Sequence, residues 1–377
     1  MNGVDTSAHT ADDPGSGGGL FIIGAAIVAL IWANSPWQHG YDSLWHHAVG
    51  PEGLHLHLGL KDWVNDALMT VFFLLVGLEI KREVTSGHLA GRRAATLPVV
   101  AALGGMVVPA LLYLAIAGRT ASHGWGIPMA TDIALAVSVL ALAGKGVPPA
   151  LRAFLLGLAV VDDIGAIVVI AVFYSNGVAA SWLAIAAGAV VATMVMRRMG
   201  VTQHVVYVTV GAVLWYALHR GGVHPTIAGV AMGLLAPVAA IDAIEHRLHR
   251  VTNFVIVPVF ALANSGVNVG AHALKTALHA PVAWGVFVGL LIGKPLGVLI
   301  ATRVSTRAGL ADPPANCSGR QLLGAGHAAG IGFTVALFVT ELAFRHGNTV
   351  DTDYVADAKM AILAASVMSG VAAYVVL

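Results

Sequence analysis

The chain has 377 residues, of which 58% are hydrophobic and 10% are charged, and its formal net charge is +1. Soluble domains carry about 25% charged residues, so this composition excludes an ordinary soluble protein and indicates an integral membrane protein. The near-neutral charge gives no basic field for nucleic acid. The single cysteine, Cys317, excludes an intramolecular disulfide and a thiolate metal cluster, and no histidine pair has a convincing ligand spacing, so we expect no cofactor.

The first 18 residues are polar and glycine-rich, and they lack the basic start of a signal peptide. We expect a disordered cytoplasmic tail over residues 1–18 and one transmembrane domain over residues 19–377. Twelve hydrophobic segments follow, and they predict an all-α polytopic protein of about twelve transmembrane helices. Their approximate bounds are 19–34, 66–80, 94–117, 125–143, 151–174, 181–196, 204–218, 223–239, 252–270, 282–302, 322–344 and 357–377.

Lysine and arginine are concentrated in alternate loops between these segments. Because basic loops stay in the cytoplasm, this bias predicts that both termini are cytoplasmic. One stretch on the external side, Leu54–Leu58, alternates leucine with histidine at a period of two residues. The alternation favours a small external β-hairpin, and an interfacial loop explains it equally well.

Few charged residues fall inside the apolar segments. Asp132 lies in the fourth, the neighbours Asp162 and Asp163 lie in the fifth, and Lys294 lies in the tenth. A charge near the middle of a bilayer costs roughly 3 kcal/mol or more, so an acidic pair in an otherwise apolar span is hard to explain by packing. The pair indicates a functional site that binds a cation and carries protons.

The two neighbouring carboxylates cannot do the same task. Adjacent residues of a helix point about 100° apart, so one of Asp162 and Asp163 can face a cation pathway while the other pairs with Lys294, and the residues alone do not say which. Burial and a like charge both favour a protonated carboxyl group, and its oxygens suit a hard alkali cation. We expect sodium or lithium ions and protons to compete for one site. A purely structural ion pair needs only one aspartate.

Two segments contain residues that interrupt helices. The fourth holds Pro128 and then Thr131 and Asp132, which are good N-caps, and the eleventh holds four glycines between residues 324 and 332. Close helix packing is the alternative reason for those glycines. Because the two segments hold matching places in segments 3–5 and 10–12, the breaks predict paired interrupted helices around a midplane site. Asp132 would offset the positive helix N-termini and Lys294 the negative C-termini.

An ordered set of motifs resembles the NhaA-type sodium/proton antiporters over essentially the whole chain after the tail. These motifs are Asn65-Asp66 with residues 71–83, Ala130-Thr131-Asp132-Ile133-Ala134, residues 161–167 around the aspartate pair, Gly222-Val223-His224, residues 260–267, Gly293-Lys294-Pro295-Leu296-Gly297 and Gly330-Ile331-Gly332-Phe333-Thr334.

The resemblance implies a bacterial inner-membrane protein with inverted-topology repeats, segments 3–5 and 10–12, and with the interrupted helices in segments 4 and 11. It also implies electrogenic exchange of sodium or lithium for more than one proton. Asp163 matches the principal ligand of the cation and proton, with Asp162 as the partner of Lys294. Thr131 and Asp132 match the crossing of the unwound chains, and Thr131 joins the aspartates as a candidate cation ligand. The family is dimeric through an external hairpin, so we expect a homodimer through residues 54–60.

Regulation by pH is a further implication of the resemblance. The residues that match the family's regulatory positions are Glu79, Arg82, Glu83, His224, Glu245, His246 and His249. Asp242 and Arg247 depart from well-known members, and helix-end anchoring is the alternative for Glu79 and Arg82. His327 has no counterpart in the family pattern, and we expect it either to tune the pH response or to face a water-filled cavity.

Two other functions can be weighed against exchange. A passive cation channel would show carbonyl filters or charged rings, and the sequence contains neither. An intramembrane aspartyl protease would need two carboxyl groups sharing a proton, in Tyr-Asp and Gly-x-Gly-Asp contexts. Here Gly330-Ile331-Gly332 is followed by Phe333 rather than by aspartate, and Lys294 would have no task.

Overall fold

The computed structural model of the protein describes residues 14–87, 89–175, 177–237, 241–346 and 349–377. The described chain is mostly helical. Its α-helices are α1 (Pro14–Ala33), α2 (Gln38–His46), α3 (Leu60–Trp63), α4 (Met69–Thr85), α5 (Arg92–Ala121), α6 (Ile133–Leu142), α7 (Pro149–Phe173), α8 (Ala180–Arg198), α9 (His204–Arg220), α10 (Ile227–Leu235), α11 (Ile241–Val251), α12 (Val257–Asn264), α13 (Ala271–His279), α14 (Pro281–Val288), α15 (Lys294–Arg307), α16 (Gly319–Ala329), α17 (Phe333–Ala343) and α18 (Thr352–Val376).

Shorter elements connect or interrupt these helices. Single 3₁₀ helices cover Glu52–Leu54, Ser122–Met129 and Gly144–Gly146, and π-helical turns cover Val64–Leu68, Thr252–Ile256 and Gly289–Gly293. Two short antiparallel strand pairs join β1 (Ala48–Val49) to β2 (Leu58–Gly59) and β3 (Arg345–His346) to β4 (Thr349–Val350).

Six helices of the described chain are long and apolar enough to cross a membrane, or up to eight if each of two bent helix pairs is one span. The sequence predicts twelve segments, and the difference arises because hydropathy averages over breaks in the backbone. In the described part of the segment expected at 223–239, for example, the α-helix covers Ile227–Leu235. Large apolar side chains such as Leu20, Val205 and Val208 are exposed on the outside of the helices, as contact with lipid requires.

The predicted tail and the predicted hairpin differ in detail from the structure. Residues 1–13 of the tail lie outside the described residues, and α1 begins at Pro14. The alternating stretch Leu54–Leu58 is not a continuous strand, because a 3₁₀ turn ends at Leu54 and His55 takes a left-handed conformation. The pairing that does form joins Ala48–Val49 to Leu58–Gly59.

The helices pack into two sets. Group A consists of α5–α7 and α14–α18, with α5 packed against α7, α14 and α15 and with α18 packed against α14 and α16. Group B consists of α1–α4 and α8–α12, with α4 against α10, α1 against α12 and α8 against α9. The two groups meet where α1 packs against α6, where α4 packs against α7 and where α12 packs against α17. The charged segment residues of the sequence analysis are brought together at this boundary.

Glycines allow α5 and α15 to approach backbone to backbone. A Cβ at Gly297 would overlap the backbone of Gly104, and one at Gly104 would lie 2.5 Å from the carbonyl oxygen of Gly297. We therefore expect Gly297→Ala to force the helices apart and to destabilise the protein by about 1–3 kcal/mol, seen as a lower melting temperature in detergent. The matched control is Gly188→Ala in α8, where a Cβ meets nothing within 4 Å; equal losses in both variants would contradict the close approach.

Candidate functional site

Two interrupted helices cross at the boundary between the groups. Residues 130–132 form an extended link between the 3₁₀ helix Ser122–Met129 and α6, and residues 330–332 link α16 to α17, which are bent by 47° at the break. The links are joined directly, because the Asp132 N–H donates to the carbonyl of Ile331 at 2.6 Å. The crossing leaves four helix ends with unpaired backbone groups inside an apolar protein, and polar side chains meet them there.

Asp132 caps the N-termini of two half-helices with one carboxylate. Its Oδ1 accepts from the Leu135 N–H at 3.1 Å, which caps α6, and its Oδ2 accepts from the Thr334 N–H at 3.1 Å and from the Thr334 hydroxyl at 2.7 Å, which caps α17. A negative charge is favourable at a helix N-terminus, and here two N-termini share it. Asp132 therefore fixes how the two links cross.

Removing this shared cap is expected to be costly. Asp132→Ala takes the acceptor from two helix ends and leaves the buried Thr334 hydroxyl without one, at about 0.5–2 kcal/mol for each cap and about 1–3 kcal/mol for the hydroxyl. Asp351→Ala is the matched control, because Asp351 is exposed and caps only α18. The melting temperature in detergent should fall at least twice as far for Asp132→Ala, and similar shifts would contradict the double cap.

One carboxylate oxygen of Asp162 is held by groups of the crossing, whereas its buried Oδ1 has no hydrogen-bond partner in the described chain. Its Oδ2 lies 2.7 Å from Lys294 Nζ and 2.6 Å from the Thr131 hydroxyl, and both Asp162 and Lys294 are 0% exposed. Thr131 also lies 2.9 Å from the carbonyl oxygen of Ala329, at the end of α16, and its single hydrogen can serve one acceptor at a time. The ion pair thus involves Asp162, which decides between the two partners that the residues alone leave open for Lys294.

Lys294 enters the crossing just after an irregular turn. The π-helical turn Gly289–Gly293 precedes it, and such turns are frequent at functional sites. Besides Asp162, the Lys294 ammonium donates to the carbonyl of Met129, at the C-terminal end of the 3₁₀ half-helix. The cation is thereby placed at the negative end of one half-helix, while Asp132 holds the positive ends.

Asp163 lies beside the pair but faces a different way. It is 4% exposed, and the structure gives its carboxylate no hydrogen bond or ion pair among the described residues. It lies on the wall of a cavity of about 980 Å³, which Thr131, Asp132 and Thr334 also line. A carboxylate on the wall of this cavity, without a bonded neighbour in the described chain, is a ready oxygen ligand for a hard cation or for a proton.

The cavity runs along α4 to the end where Arg82 and Glu83 lie. Arg82 bonds to Glu245 of α11 and lies 3.9 Å from Glu83. Glu79, His246, His249 and Arg250 also line the cavity. Burial, followed by the charge of Arg82, lowers the pKa of His249, so this side chain is neutral near pH 7. The charged residues that the resemblance assigns to pH regulation therefore lie at the cavity mouth, with the exception of His224.

Two histidines named by the sequence analysis lie elsewhere. His224 does not line the cavity: its Nε2 is 3.5 Å from Asp66 Oδ1, and its ring packs edge-on against Phe338. His327 lies in α16 next to the break, does not line the cavity and has a buried Nδ1 without a hydrogen-bond partner in the described chain. His327 thus does not face this cavity, and its expected role, in tuning the pH response or in facing a water-filled cavity, stays a prediction.

Part of the site could not be found from residue types. The acceptors at Met129 and Ala329 are backbone carbonyls, and every residue has one, so no sequence signal marks them. Thr334 was part of a recognised motif, but its contact with Asp132 spans 202 positions of the chain. The available signal was that Thr334 is a polar residue shortly after the glycines that interrupt the eleventh segment.

Comparison with known proteins gives consistent similarities. The model of the family described as Na+/H+ antiporter 1 matches residues 12–377. The chain is 46% identical over 367 residues to the Na(+)/H(+) antiporter NhaA of Acidovorax sp. (strain JS42), with 93% of this chain and 86% of that protein covered. It is 43% identical over 372 residues to the NhaA of Escherichia coli O1:K1 / APEC, with 95% of this chain and 94% of that protein covered.

A solved structure is similar at the level of the fold. The sodium proton antiporter MjNhaP1 from Methanocaldococcus jannaschii superposes with a TM-score of 0.54 at 13% sequence identity. The match covers 95% of this chain and 89% of that chain.

Proposed function

We propose, from the premise that this chain belongs to the Na+/H+ antiporter 1 family, that it exchanges sodium or lithium ions for protons by alternating access at Asp163. The protein is a multi-pass bacterial membrane protein of a transporter family rather than an enzyme. Exchange is electrogenic in this proposal, with more than one proton moved for each cation and no cofactor beyond the transported ions.

The observation that carries the proposal is the difference between the surroundings of Asp162 and those of Asp163. Asp162 is neutralised by Lys294 and held by Thr131, whereas Asp163 has no such partner and lies on the cavity wall. A buried carboxylate is stable only with a compensating positive charge, and for Asp163 the described residues supply none in direct contact. A sodium ion or a proton arriving through the cavity supplies it, and either one excludes the other.

Competition at one carboxylate is sufficient for exchange when the site can face either side. With the cation bound, Asp163 is ionised. When the cation leaves, a proton takes its place, and the protonated site can turn back to the first side of the membrane. In this scheme Thr131, which lines the same cavity, and Asp162, the neighbour of Asp163 in the chain, supply further oxygen ligands to the cation. Lys294 and Asp132 keep the crossing neutral while the ligand changes.

The architecture of the proposal goes beyond the helices that are long enough to span. All twelve apolar segments cross the membrane, both termini are cytoplasmic, and segments 3–5 and 10–12 are inverted repeats. Two copies associate through the external residues 54–60, which include strand β2 of the β1–β2 pair. The cavity mouth then faces the cytoplasm, because Arg82 lies in the last turn of α4, at the end that the bias of lysine and arginine assigns to that side.

Regulation by pH belongs to the cavity mouth in this proposal. Glu79, Glu83, Glu245 and His246 line it, and the Arg82–Glu245 ion pair joins α4 to α11. A change in the net charge of the mouth changes the electrostatic attraction that an incoming cation meets. His224, which lies beside Asp66, would act by another route.

Transport against a gradient tests the proposal against its alternatives. Purified protein in liposomes should accumulate sodium above the external concentration when only a proton gradient is imposed. A passive channel would let sodium equilibrate and no further, and an aspartyl protease would cleave a membrane-embedded peptide and leave sodium where it was.

A further inference from the structure

The end of the group boundary opposite the cavity mouth is closed by aromatic packing. The ring of Phe338 in α17 lies 5.5 Å from that of Phe73 in α4, 6.3 Å from that of Phe260 in α12 and 5.0 Å from that of His224, measured between ring centroids. Phe338 is completely buried. It lies one turn beyond Thr334 of the site, so these rings separate the site from the far end of the helices.

Beyond the aromatic rings lies a set of ion pairs, which we call the far-end network. Lys61 Nζ and Lys359 Nζ each lie 2.6 Å from Glu341 Oε1, and Arg345 Nη2 lies 2.8 Å from Asp62 Oδ1. Glu341 and Lys359 are buried, whereas the side chains of Asp62 and Arg345 are each 36% exposed. The site described above uses none of these five residues.

The far-end network joins the two helical groups. Lys61 and Asp62 belong to α3 at the start of the long span Leu60–Thr85 of group B, whereas Glu341 lies in α17 and Arg345 directly follows it in group A. In group B the oppositely charged Lys61 and Asp62 are adjacent, and in group A Glu341 and Arg345 are about one turn apart. One bond therefore has its cation in group B, and the other has its cation in group A. At the cavity mouth, by contrast, the Arg82–Glu245 bond joins helices of the same group.

We propose that the far-end network is a latch that holds groups A and B together while the site faces the cavity, and that its Lys61–Glu341 and Asp62–Arg345 bonds break each time the site turns to the other side. This inference rests on the proposed function, since only an alternating-access protein needs to open that end. Glu341 keeps Lys359 as a buried partner when Lys61 leaves, so opening does not strand an unpaired carboxylate in group A.

If the far-end network is a latch, removing one of its ion pairs makes the far end open more often. Loss of a partly exposed ion pair should raise the population of the far-open state by about two- to fivefold. Met69 is a suitable reporter, because it lies in α4 one turn from Phe73 towards Asp62, is 1% exposed and does not line the cavity. A cysteine there, in a Cys317→Ser background, reacts with a water-soluble maleimide only when the far end opens.

The experiment measures the labelling rate of Met69→Cys in detergent, where no assumption about orientation is needed. Arg345→Ala should raise this rate about two- to fivefold, and Glu341→Gln should raise it further because two lysines lose their acceptor. The double reversal Asp62→Arg with Arg345→Asp should restore the original rate. Arg220→Ala is the matched control, because Arg220 contacts Trp182 of its own group and its loss should leave the rate unchanged.

The outcomes separate the latch from the proposed function. Unchanged labelling in Arg345→Ala and Glu341→Gln, or equal increases in Arg220→Ala, would overturn the latch. A reversal variant that labels as fast as Arg345→Ala would also contradict it, because pairing rather than residue identity is the claim. Sodium/proton exchange by the same background protein is measured separately in liposomes, and its absence would refute the proposed function without reference to the labelling rates.

Discussion

Replacing Asp163 by asparagine is expected to reduce sodium-dependent proton movement to background. The amide has nearly the same shape as the carboxyl group, but it neither releases a proton near neutral pH nor offers a negative charge to sodium. Among the three aspartates at the crossing, Asp163 is the one whose carboxylate has no hydrogen bond in the described chain, so we expect no neighbour to take over its task. The measurement is proton release on addition of sodium to everted membrane vesicles.

The control for this variant is the same chemical change at an exposed position. Asp353 lies in the first turn of α18 and is exposed, so Asp353→Asn should keep the wild-type rate. Asp163→Asn should also remain folded, because the change removes no hydrogen bond that the structure describes. Wild-type exchange in Asp163→Asn would refute the assignment of this residue.

The second large effect concerns stability. Lys294→Ala leaves the Asp162 carboxylate buried without its cation, and breaking a buried ion pair by removing one partner costs about 3–5 kcal/mol. The ammonium also donates to the Met129 carbonyl, which would lose that contact. We expect a clearly lower melting temperature in detergent than for the unchanged protein.

Two comparisons make this prediction specific to pairing. Lys275→Ala removes an exposed lysine from α13 and should leave the melting temperature nearly unchanged. Adding Asp162→Asn to Lys294→Ala should recover part of the loss, because the neutral amide is less costly to bury than an unpaired carboxylate. If Lys294→Ala melts like Lys275→Ala, the pair contributes nothing and the interpretation of the site is wrong.

The chemical residues of the site could be predicted from the sequence because the membrane makes charge rare. A charged residue in an apolar segment is conspicuous because placing its charge in the bilayer costs free energy. The residues found in this way are Asp132, Asp162, Asp163 and Lys294. The choice of Asp162 as the partner of Lys294 could not be derived in that way. The 100° offset between neighbours shows only that the aspartates diverge, and packing of α7 against α4 and α5 decides which one faces which group.

The fold was predictable as a class and less so in its details. Apolar segments identify a polytopic helical protein, but hydropathy does not detect where a helix becomes a 3₁₀ or π turn or an extended link, as at residues 130–132. The alternation in Leu54–Leu58 indicated a strand, whereas the backbone there turns at Leu54 and His55 before it pairs. Strands β1 and β2 have only two residues each, which is too short for an alternation of apolar and polar residues to locate them.

The far-end network was the least predictable feature. Lys61 and Glu341 are 280 positions apart, and their pairing depends on the tertiary arrangement of groups A and B. Lys61 and Arg345 fall between the apolar segments, where nothing in the sequence marks them as partners of a buried group, and Lys359 is buried in α18. The available signal was Glu341, an acidic residue in an apolar segment that needs a cation nearby.

Proton release on sodium binding, in purified protein without a membrane potential, tests the competition at Asp163 most directly. A pH-sensitive dye in weakly buffered detergent solution reports protons while sodium is added, and calorimetry reports binding of the ion. We predict that protons are released with the same sodium dependence as the binding heat, and that Asp163→Asn shows neither signal. Saturable sodium binding without proton release would contradict the central claim that the two ions exclude each other at this carboxylate.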